Sequence, residues 1–317
     1  MAITADYLLR GVKRRITDPQ HQNRLENADI LAFADQVVQA EIVPIMESAQ
    51  TDFFVTYSET PIIAGQTEYA IPYRAVGRNF REIKIKNTGD TGNVAWRNVP
   101  LISIENAYQY YAWTNIAGFY FKGDVIQLVP DVANITAPNS TIGMWWRLPP
   151  NRLVEFDLTA QVVSIASNVI TVDGVPGDIE AGSFVDFNQA QSGCSILGYD
   201  AFVVATSSTT ITFSSPDDIP SRLIPGDYIN LQGTSYVLNF VPNECYPLLE
   251  TLTCRRACNA IADYEAMKIL DEDAKIEREN FKKLIEPRID GEPNIIVNPR
   301  SLARGWKFNQ RNWLYGQ

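Results

Sequence analysis

Histidine is almost absent from this chain, which has one, His21, among its 317 residues. Many enzymes that move protons near neutral pH rely on imidazole, because histidine titrates in that range. His21 lies in a polar segment between Pro19 and the second predicted helix, a position typical of a surface residue. The nucleophile elbow, the phosphate-binding P-loop, the dinucleotide fingerprint and the zinc-protease helix motif do not occur. The sequence therefore predicts no catalytic residues and a protein that is not an enzyme.

Paired carboxylates could still cleave glycosidic bonds without a histidine. The candidates fall in predicted turns or at strand ends, where aspartate is common because its side chain bonds the nearby backbone: Asp186, Asp200, Asp217 and Asp218. A glycan-cleaving enzyme is therefore the weaker alternative.

Cysteine is scarce and follows no even spacing, with four residues at Cys194, Cys245, Cys254 and Cys258. Reduced thiols are the expectation for such a chain. Cys254 and Cys258 stand four apart on a predicted helix and could share a metal, but a zinc site needs two further ligands. We expect no metal and no cofactor.

Long apolar runs are also missing, because no stretch of about eighteen uncharged apolar residues occurs. We therefore expect no membrane span. Residues 1–17 alternate apolar side chains with arginine and lysine, which predicts an amphipathic helix and lacks the continuous apolar core of a secretion signal. The expected place of synthesis is a cytoplasm.

Charge is unevenly distributed along a chain whose net charge is −10. Residues 1–24 carry five basic residues against Asp6 and Asp18, and residues 288–317 carry five against Asp290 and Glu292. The acidic middle should repel nucleic acid as a whole. The two ends are therefore the chemically distinct parts.

The first 50 residues predict two helices. Residues 5–16 place their apolar side chains on one stripe, and a second helix over 25–49 should begin near Asn23 or Asn27, each a good N-cap. Pro44 should bend or break its last turn. Near the other end, residues 242–287 predict one long helix with an apolar stripe from Leu248 onward and Pro287 as its stop. Its charged face is either solvated or lines a channel.

The central part of the chain predicts β structure. Residues 51–157 form an antiparallel β domain, with candidate strands at 53–57, 67–72, 80–86, 94–98, 118–121, 125–129 and 142–148, and a tight reversal at Gly123-Asp124. A short tyrosine-rich helix is expected over 104–113. Residues 158–235 look duplicated, since 162–172 recurs at 203–213 and Gly182-Ser183-Phe184 recurs at Gly226-Asp227-Tyr228. Two similar three-stranded units would pair into a small barrel, which removes sheet edges.

Aromatic side chains are abundant, and two explanations of them stay open. They could stack on sugars, or they could build sheet cores and subunit interfaces, which we favour: Tyr108, Tyr110, Tyr111, Trp113, Trp145 and Trp146.

The last segment, residues 288–317, has no periodicity but is rich in arginine and aromatic side chains. Such residues dominate binding hot spots, and disordered tails are normally poor in aromatics. We expect an extended tail that docks on a partner, with folding back on its own subunit as the alternative.

The order of helices, β insertion, long helix and tail resembles the head-to-tail connector (adaptor) proteins of tailed bacteriophages. The residues that carry the resemblance are the helices at 5–16 and 25–49, the segment Asp52-Phe53-Phe54-Val55, the phrase Gly65-Gln66-Thr67-Glu68-Tyr69-Ala70-Ile71-Pro72, the helix at 248–285 and the tail. The large insertion at 51–240 departs from the small members of that family.

The resemblance implies an α+β virion protein of the neck, in which N-terminal helices and a long C-terminal helix frame a β insertion. It implies a ring, usually of twelve subunits, between the portal and the tail. Passing DNA would be tolerated without sequence recognition. A tail-associated protein that docks fibres or binds carbohydrate is the second hypothesis.

On the same basis, portal contacts fall on residues of the C-terminal tail: Arg300, Arg304, Trp306, Phe308, Arg311, Trp313 and Tyr315. Subunit contacts are expected at four positions of the helices: Tyr7, Val37, Tyr264 and Phe281.

Overall fold

The computed structural model of the chain describes residues 3–16, 24–49, 53–63, 65–75, 80–86, 96–110, 116–130, 140–190 and 196–285. Helices and strands both contribute, and the apolar side chains bury themselves in three separate clusters. The broad α+β prediction is confirmed. The three clusters belong to a helical frame, a two-sheet unit and a small barrel.

The helical frame joins the two ends of the described chain. Its N-terminal part consists of α1 (Ala5–Arg15), α2 (Asn27–Val37), a π-helical segment (Val38–Ile42) and α3 (Val43–Ala49). Its C-terminal part consists of α4 (Tyr246–Ala260) and α5 (Tyr264–Ile285). Leu8 and Val12 of α1 and Leu248 and Leu252 of α4 lie in one core. The apolar stripes predicted for α1 and α4 therefore pack against each other, although more than half of the sequence separates them.

The second helix differs from its prediction at both ends. Glu26, and not Asn27, is the N-cap, and it forms a capping box with Asp29. Asn23 lies outside the described residues. Pro44 does not end the helix, because the π-helical turn before it places the proline in the first turn of α3, where a missing N–H costs little.

The predicted single long helix is wrong, because it is two helices. Ala262 adopts a left-handed conformation with φ 63°, which ends α4. The N–H groups of Ala262 and Asp263 donate to the carbonyls of Asn259 and Cys258, the pattern of a Schellman cap. Asp263 then accepts from the Ala266 N–H at 3.1 Å and starts α5. The chain turns back here, and the two helices pack on each other.

The two-sheet unit has seven strands: β1 (Val55–Pro61), β2 (Glu68–Ala70), β3 (Phe80–Lys86), β4 (Trp96–Asn98), β5 (Gly118–Lys122), β6 (Val125–Val129) and β7 (Thr141–Arg147). One sheet has the order β1-β7-β3-β4 and the other β2-β6-β5. The inward residues Ile83, Met144 and Trp146 face Tyr69 and Ile126 in a shared core. Strands predicted at 80–86 and 125–129 are confirmed, as is the Gly123-Asp124 hairpin between β5 and β6.

Two further predictions for this unit concern the short helix at 104–113 and the strand at 67–72. A 3₁₀-helix covers Ile104–Tyr110 of the predicted short helix, and residues 111–113 lie outside the described part of the chain. The tyrosine of the predicted second strand is a structural residue, because the Tyr69 hydroxyl accepts from the Ile63 N–H and donates to the Gln66 carbonyl, each at 3.1 Å. Gly65 in that turn has φ 81°, which favours glycine. The glycine and the tyrosine of the phrase at 65–72 thus fix a tight turn.

The barrel is closed by six strands: β9 (Thr159–Ala166), β10 (Val169–Val172), β11 (Phe184–Asn188), β12 (Ile196–Thr206), β13 (Thr210–Phe213) and β14 (Tyr228–Leu231). The order β10-β13-β12-β11-β14-β9 is unchanged when each strand of the first half is exchanged with its counterpart in the second. Ile170 pairs with Ile211 and Asp186 pairs with Asn230, each with its own counterpart. The two three-stranded units thus pair into a closed barrel, as predicted.

Matching hydrogen bonds support the duplication. The Gly182 N–H donates to the Val203 carbonyl at 2.8 Å, and the Gly226 N–H donates to the Val162 carbonyl at 2.7 Å. Both glycines have positive φ, 96° and 98°. Equivalent glycines therefore make equivalent contacts in the two halves, which a chance likeness of two hairpins would not require.

Short parallel strands tie the units together. β8 (Arg152–Leu153) pairs with β15 (Thr234–Ser235), on the two segments that enter and leave the barrel. Thr4 bridges to Val237, which attaches the start of α1 to the exit segment. The frame, the sheets and the barrel meet at these segments.

Candidate interaction surfaces

A buried ion pair joins the two-sheet unit to the barrel. Arg74 follows β2, and its Nη1 lies 2.7 Å from Oδ2 of Asp186 on β11. The Arg74 side chain is 7% exposed and that of Asp186 is 0% exposed. Asp186 also accepts from the Asn151 side chain at 2.8 Å and from the N–H groups of Asp200 and Gly233, each at 3.0 Å. Burial raises the pKa of Asp186, and Arg74 and the two backbone N–H groups oppose that rise.

The ion pair and these hydrogen bonds satisfy the carboxylate of Asp186, which is buried and therefore not accessible to a substrate. Asp200 lies beside the same guanidinium and accepts from Gln232 at 2.7 Å. Asp218 forms the capping box of the 3₁₀ turn Pro216–Asp218, and Asp217 lies in the same turn. The four carboxylates considered for glycoside hydrolysis therefore have structural partners or lie in a turn. The local sequence contains no signal for Arg74, because its partner is 112 residues away.

A cleft of about 1030 Å³ lies where the frame meets the barrel. Asp35 of α2 and Gln39 of the π-helical segment line it, opposite Arg152 and the turn at Gln232–Thr234. Asp35 Oδ1 accepts from the Leu153 N–H at 2.9 Å. Burial raises the pKa of Asp35 from 3.8 to about 7, although that hydrogen bond and nearby Arg152 oppose the rise. Asp35 thus places a carboxylate with a raised pKa in the cleft, and the sequence did not single it out.

An aromatic face covers the outer side of the four-stranded sheet. It consists of Tyr57, Trp96 and Trp145 with Lys84 and Lys86. The Tyr57 and Trp145 rings stack at 5.6 Å, and the Trp96 and Trp145 rings meet edge to face at 5.3 Å. The Lys84 ammonium lies 4.9 Å from the Trp145 centroid and the Lys86 ammonium 5.7 Å from that of Trp96. Aromatic rings with cations beside them are typical of binding surfaces.

Gly143 explains why the two tryptophans can meet. A Cβ at this position would lie 2.8 Å from both Trp145 and Trp96. Of the other aromatics singled out in the sequence, Tyr108 is 73% exposed and Trp146 is 1% exposed in the core. Tyr111 and Trp113 lie outside the described residues.

The helical frame leaves large apolar side chains on its outer surface. On α5, Ile269 is 67% exposed and Ile276, two turns later, is 61% exposed, whereas Leu270, Ala274 and Phe281 of the same helix are buried. These two isoleucines share a stripe because residues seven apart fall on one side of a helix. The seven-residue spacing of Ile269 and Ile276 is visible in the sequence, and it is separate from the stripe of buried residues on the same helix.

The four residues predicted to contact a neighbouring subunit differ in how exposed they are. Tyr7 is 47% exposed and Tyr264 is 64% exposed, so both have surface for a neighbour. Val37 and Phe281 are buried in the frame's own core in this conformation, and a subunit contact at these two positions stays a prediction. Their stripes pack against the chain itself.

The expected portal-binding residues, Arg300 to Tyr315, lie outside the described residues, as do His21 and Cys194. Cys245, Cys254 and Cys258 are free and buried. Within the described ranges, no group of three or more histidine, cysteine, aspartate or glutamate side chains could hold a metal ion. No helix among those residues is both long and apolar enough for a bilayer crossing. No protein-family model matches the chain, and no curated protein is significantly similar to it.

Proposed function

We propose that this chain is a structural subunit of a bacteriophage neck, forming a homo-oligomeric ring between the portal and the tail around the DNA channel. The observation that supports this most is the outer stripe of α5. Ile269 and Ile276 are more than half exposed on a helix whose opposite side already packs a core. Apolar surface of this kind gains free energy when a neighbouring subunit covers it.

The net charge of the chain suits a DNA channel. The chain carries a net charge of −10, whereas the exposed charges of α5 are balanced, with Glu272 and Asp273 on the same helix as Lys268 and Lys275. A wall without net positive charge offers the DNA backbone little attraction, so DNA would pass without sticking and without sequence recognition.

Replacement of the two isoleucines tests the ring. Ile269→Ser with Ile276→Ser should raise the concentration at which the chain assembles by at least tenfold, measured by sedimentation velocity. Lys268→Ser with Lys275→Ser alters two exposed residues of the same helix and should leave assembly within twofold of the wild type. Unchanged assembly of the isoleucine variant would overturn the role of this stripe.

A deletion tests the portal contact. The chain shortened before Asn294 should fold and form rings, and it should no longer bind the portal protein in a co-sedimentation assay. Substitution of Trp306 and Trp313 by serine in the full chain should weaken portal binding by at least tenfold. Portal binding that survives the deletion would contradict the assignment of the tail.

The aromatic face favours a second candidate, a tail-associated protein that docks fibres or binds carbohydrate. Trp145→Ser with Trp96→Ser should then abolish binding to a glycan array or to a fibre protein, while ring formation stays intact. Loss of binding with intact rings would support this second function alongside the first. No effect on either would favour the ring alone.

A further inference from the structure

The two halves of the barrel present the same strand position to different surroundings. Phe184 pairs with Phe202 between β11 and β12, and the equivalent residues Tyr228 and Gln161 pair between β14 and β9. Tyr228 packs against Tyr236 at 5.2 Å and against the core of the frame. The surface around Tyr228 is therefore already covered by the chain itself.

The equivalent surface around Phe184 is open. Phe184 and Phe202 are each 42% exposed, and their rings contact each other at 5.4 Å. Val204, two residues further along β12 and on the same outer face, is 47% exposed. The segment 201–215 contains no charged residue. This phenylalanine pair is thus an apolar, uncharged surface on an acidic protein.

A second apolar surface lies in the turn before β9, on the far side of β14 from β11. Phe156 and Leu158 of the 3₁₀ turn before β9 are 38% and 43% exposed, and Phe156 contacts Tyr236 at 5.3 Å. Asn230 on β14 donates to the Leu158 carbonyl at 3.3 Å. Tyr228 pairs with Asn188, four residues along β11 from Phe184, which separates Tyr228 from Phe184 by roughly 13 Å along the strand. We name this turn the Phe156–Leu158 ridge.

We propose that the Phe156–Leu158 ridge of one copy packs on the phenylalanine pair of the next copy. The proposal rests on the ring function and names the barrel as part of the junction, beside the α5 stripe. Tyr228 occupies the barrel position equivalent to Phe184, and it packs against Tyr236, an aromatic side chain that also contacts Phe156. This position of the barrel therefore already binds an aromatic group beside Phe156 within the chain. Copies with a net charge of −10 repel each other, and an uncharged contact adds no local repulsion.

The contact joins two different surfaces, so it is head-to-tail. Such contacts repeat from copy to copy and close into a ring when the rotation between copies allows. A contact between identical surfaces would instead stop at two copies. This difference makes the proposal testable with two variants.

The first variant carries Phe184→Asp and Phe202→Asp, and the second carries Phe156→Asp and Leu158→Asp. Each should raise the assembly midpoint at least tenfold in sedimentation velocity or native mass spectrometry. At a concentration where each alone is monomeric, an equal mixture should form a two-chain species, because one intact ridge then meets one intact phenylalanine pair. Val163→Asp places a charge on a 53% exposed apolar residue outside both surfaces and should assemble like the wild type.

Circular dichroism verifies that the variants fold, and threonine at the same four positions replaces aspartate where a variant does not. Assembly that persists in either variant, or a mixture that stays monomeric, overturns the junction. If the wild type forms rings in that case, the ring function stands and its contact lies elsewhere. A wild type that stays monomeric even with the portal protein overturns the ring function as well.

Discussion

Arg74 and Asp186 form an ion pair at 2.7 Å in which neither side chain is more than 7% exposed. Arg74 belongs to the two-sheet unit and Asp186 lies on the barrel, where it faces its counterpart Asn230. Removing two charges from water is costly, and here the cost is offset by hydrogen bonds from Asn151 and two backbone N–H groups. The pair therefore fixes how the barrel is held against the sheets.

Arg74→Met should destabilise the fold by about 3–5 kcal/mol, because it leaves the Asp186 carboxylate buried without its cation. Urea unfolding measures the change. Arg222→Met, at an exposed arginine, should stay within about 0.5 kcal/mol of the wild type. The double variant Arg74→Met with Asp186→Asn should recover part of the loss, and a strictly additive result would contradict the pairing.

Asp35→Asn should change how stability depends on pH. The pKa of Asp35 is raised from 3.8 to about 7, so between these values the folded chain holds a proton that the unfolded chain has released. Protonation thus favours folding, and this contribution is lost as the pH rises through that window. The variant should gain stability relative to the wild type from about pH 4 to pH 7, by at most about 1.4 kcal/mol per pH unit, and the gain should level off above that range.

Denaturant titrations at several pH values test this. Asp157→Asn, at an exposed aspartate, is the matched control and should show a constant difference from the wild type. An Asp35→Asn variant whose difference from the wild type stays flat across the window would disprove the raised pKa.

Ala262→Gly should stabilise the chain by up to about 1 kcal/mol. Ala262 has φ 63°, where a Cβ is strained, and glycine removes that strain at some cost in unfolded-state entropy. Ala260→Gly, at the last helical residue of α4, should instead lose about 0.5 kcal/mol. Thermal unfolding of the two variants should therefore shift in opposite directions, and equal shifts would refute the cap.

Tyr69→Phe should cost about 1–2 kcal/mol, because it leaves the Ile63 N–H and the Gln66 carbonyl without their partner. Tyr73→Phe removes the hydroxyl of a tyrosine that is 88% exposed and should change little. Comparison of their unfolding midpoints tests whether the Gly65–Tyr69 turn is held by this hydroxyl. Equal midpoints would count against it.

Local patterns in the sequence predict much of this fold. Alternation of side chains locates the strands at 80–86 and 125–129, and Gly123-Asp124 marks the hairpin between β5 and β6. The repeat of 162–172 at 203–213 predicts the barrel, because a duplicated unit of three strands can close against its copy. These features depend on neighbours in sequence, which is why they can be recognised there.

Other features depend on residues far apart or on an unusual choice of residue. Alanine at Ala262 disguises the end of α4, where glycine is usual, and only the capping residue Asp263 hints at a new helix. Arg74 and Asp35 acquire their properties from burial, which distant segments provide. Val37 is buried by its own chain, and the periodic apolar stripe to which it belongs does not tell whether its own chain or a neighbour covers it.

Native mass spectrometry of the full chain, alone and with the portal protein, shows whether the chain forms a ring. We expect a closed assembly at an integer multiple of the 35.6 kDa chain, with few open intermediates, that binds the portal through the C-terminal tail. A chain that stays monomeric at every concentration, with and without the portal protein, would contradict it.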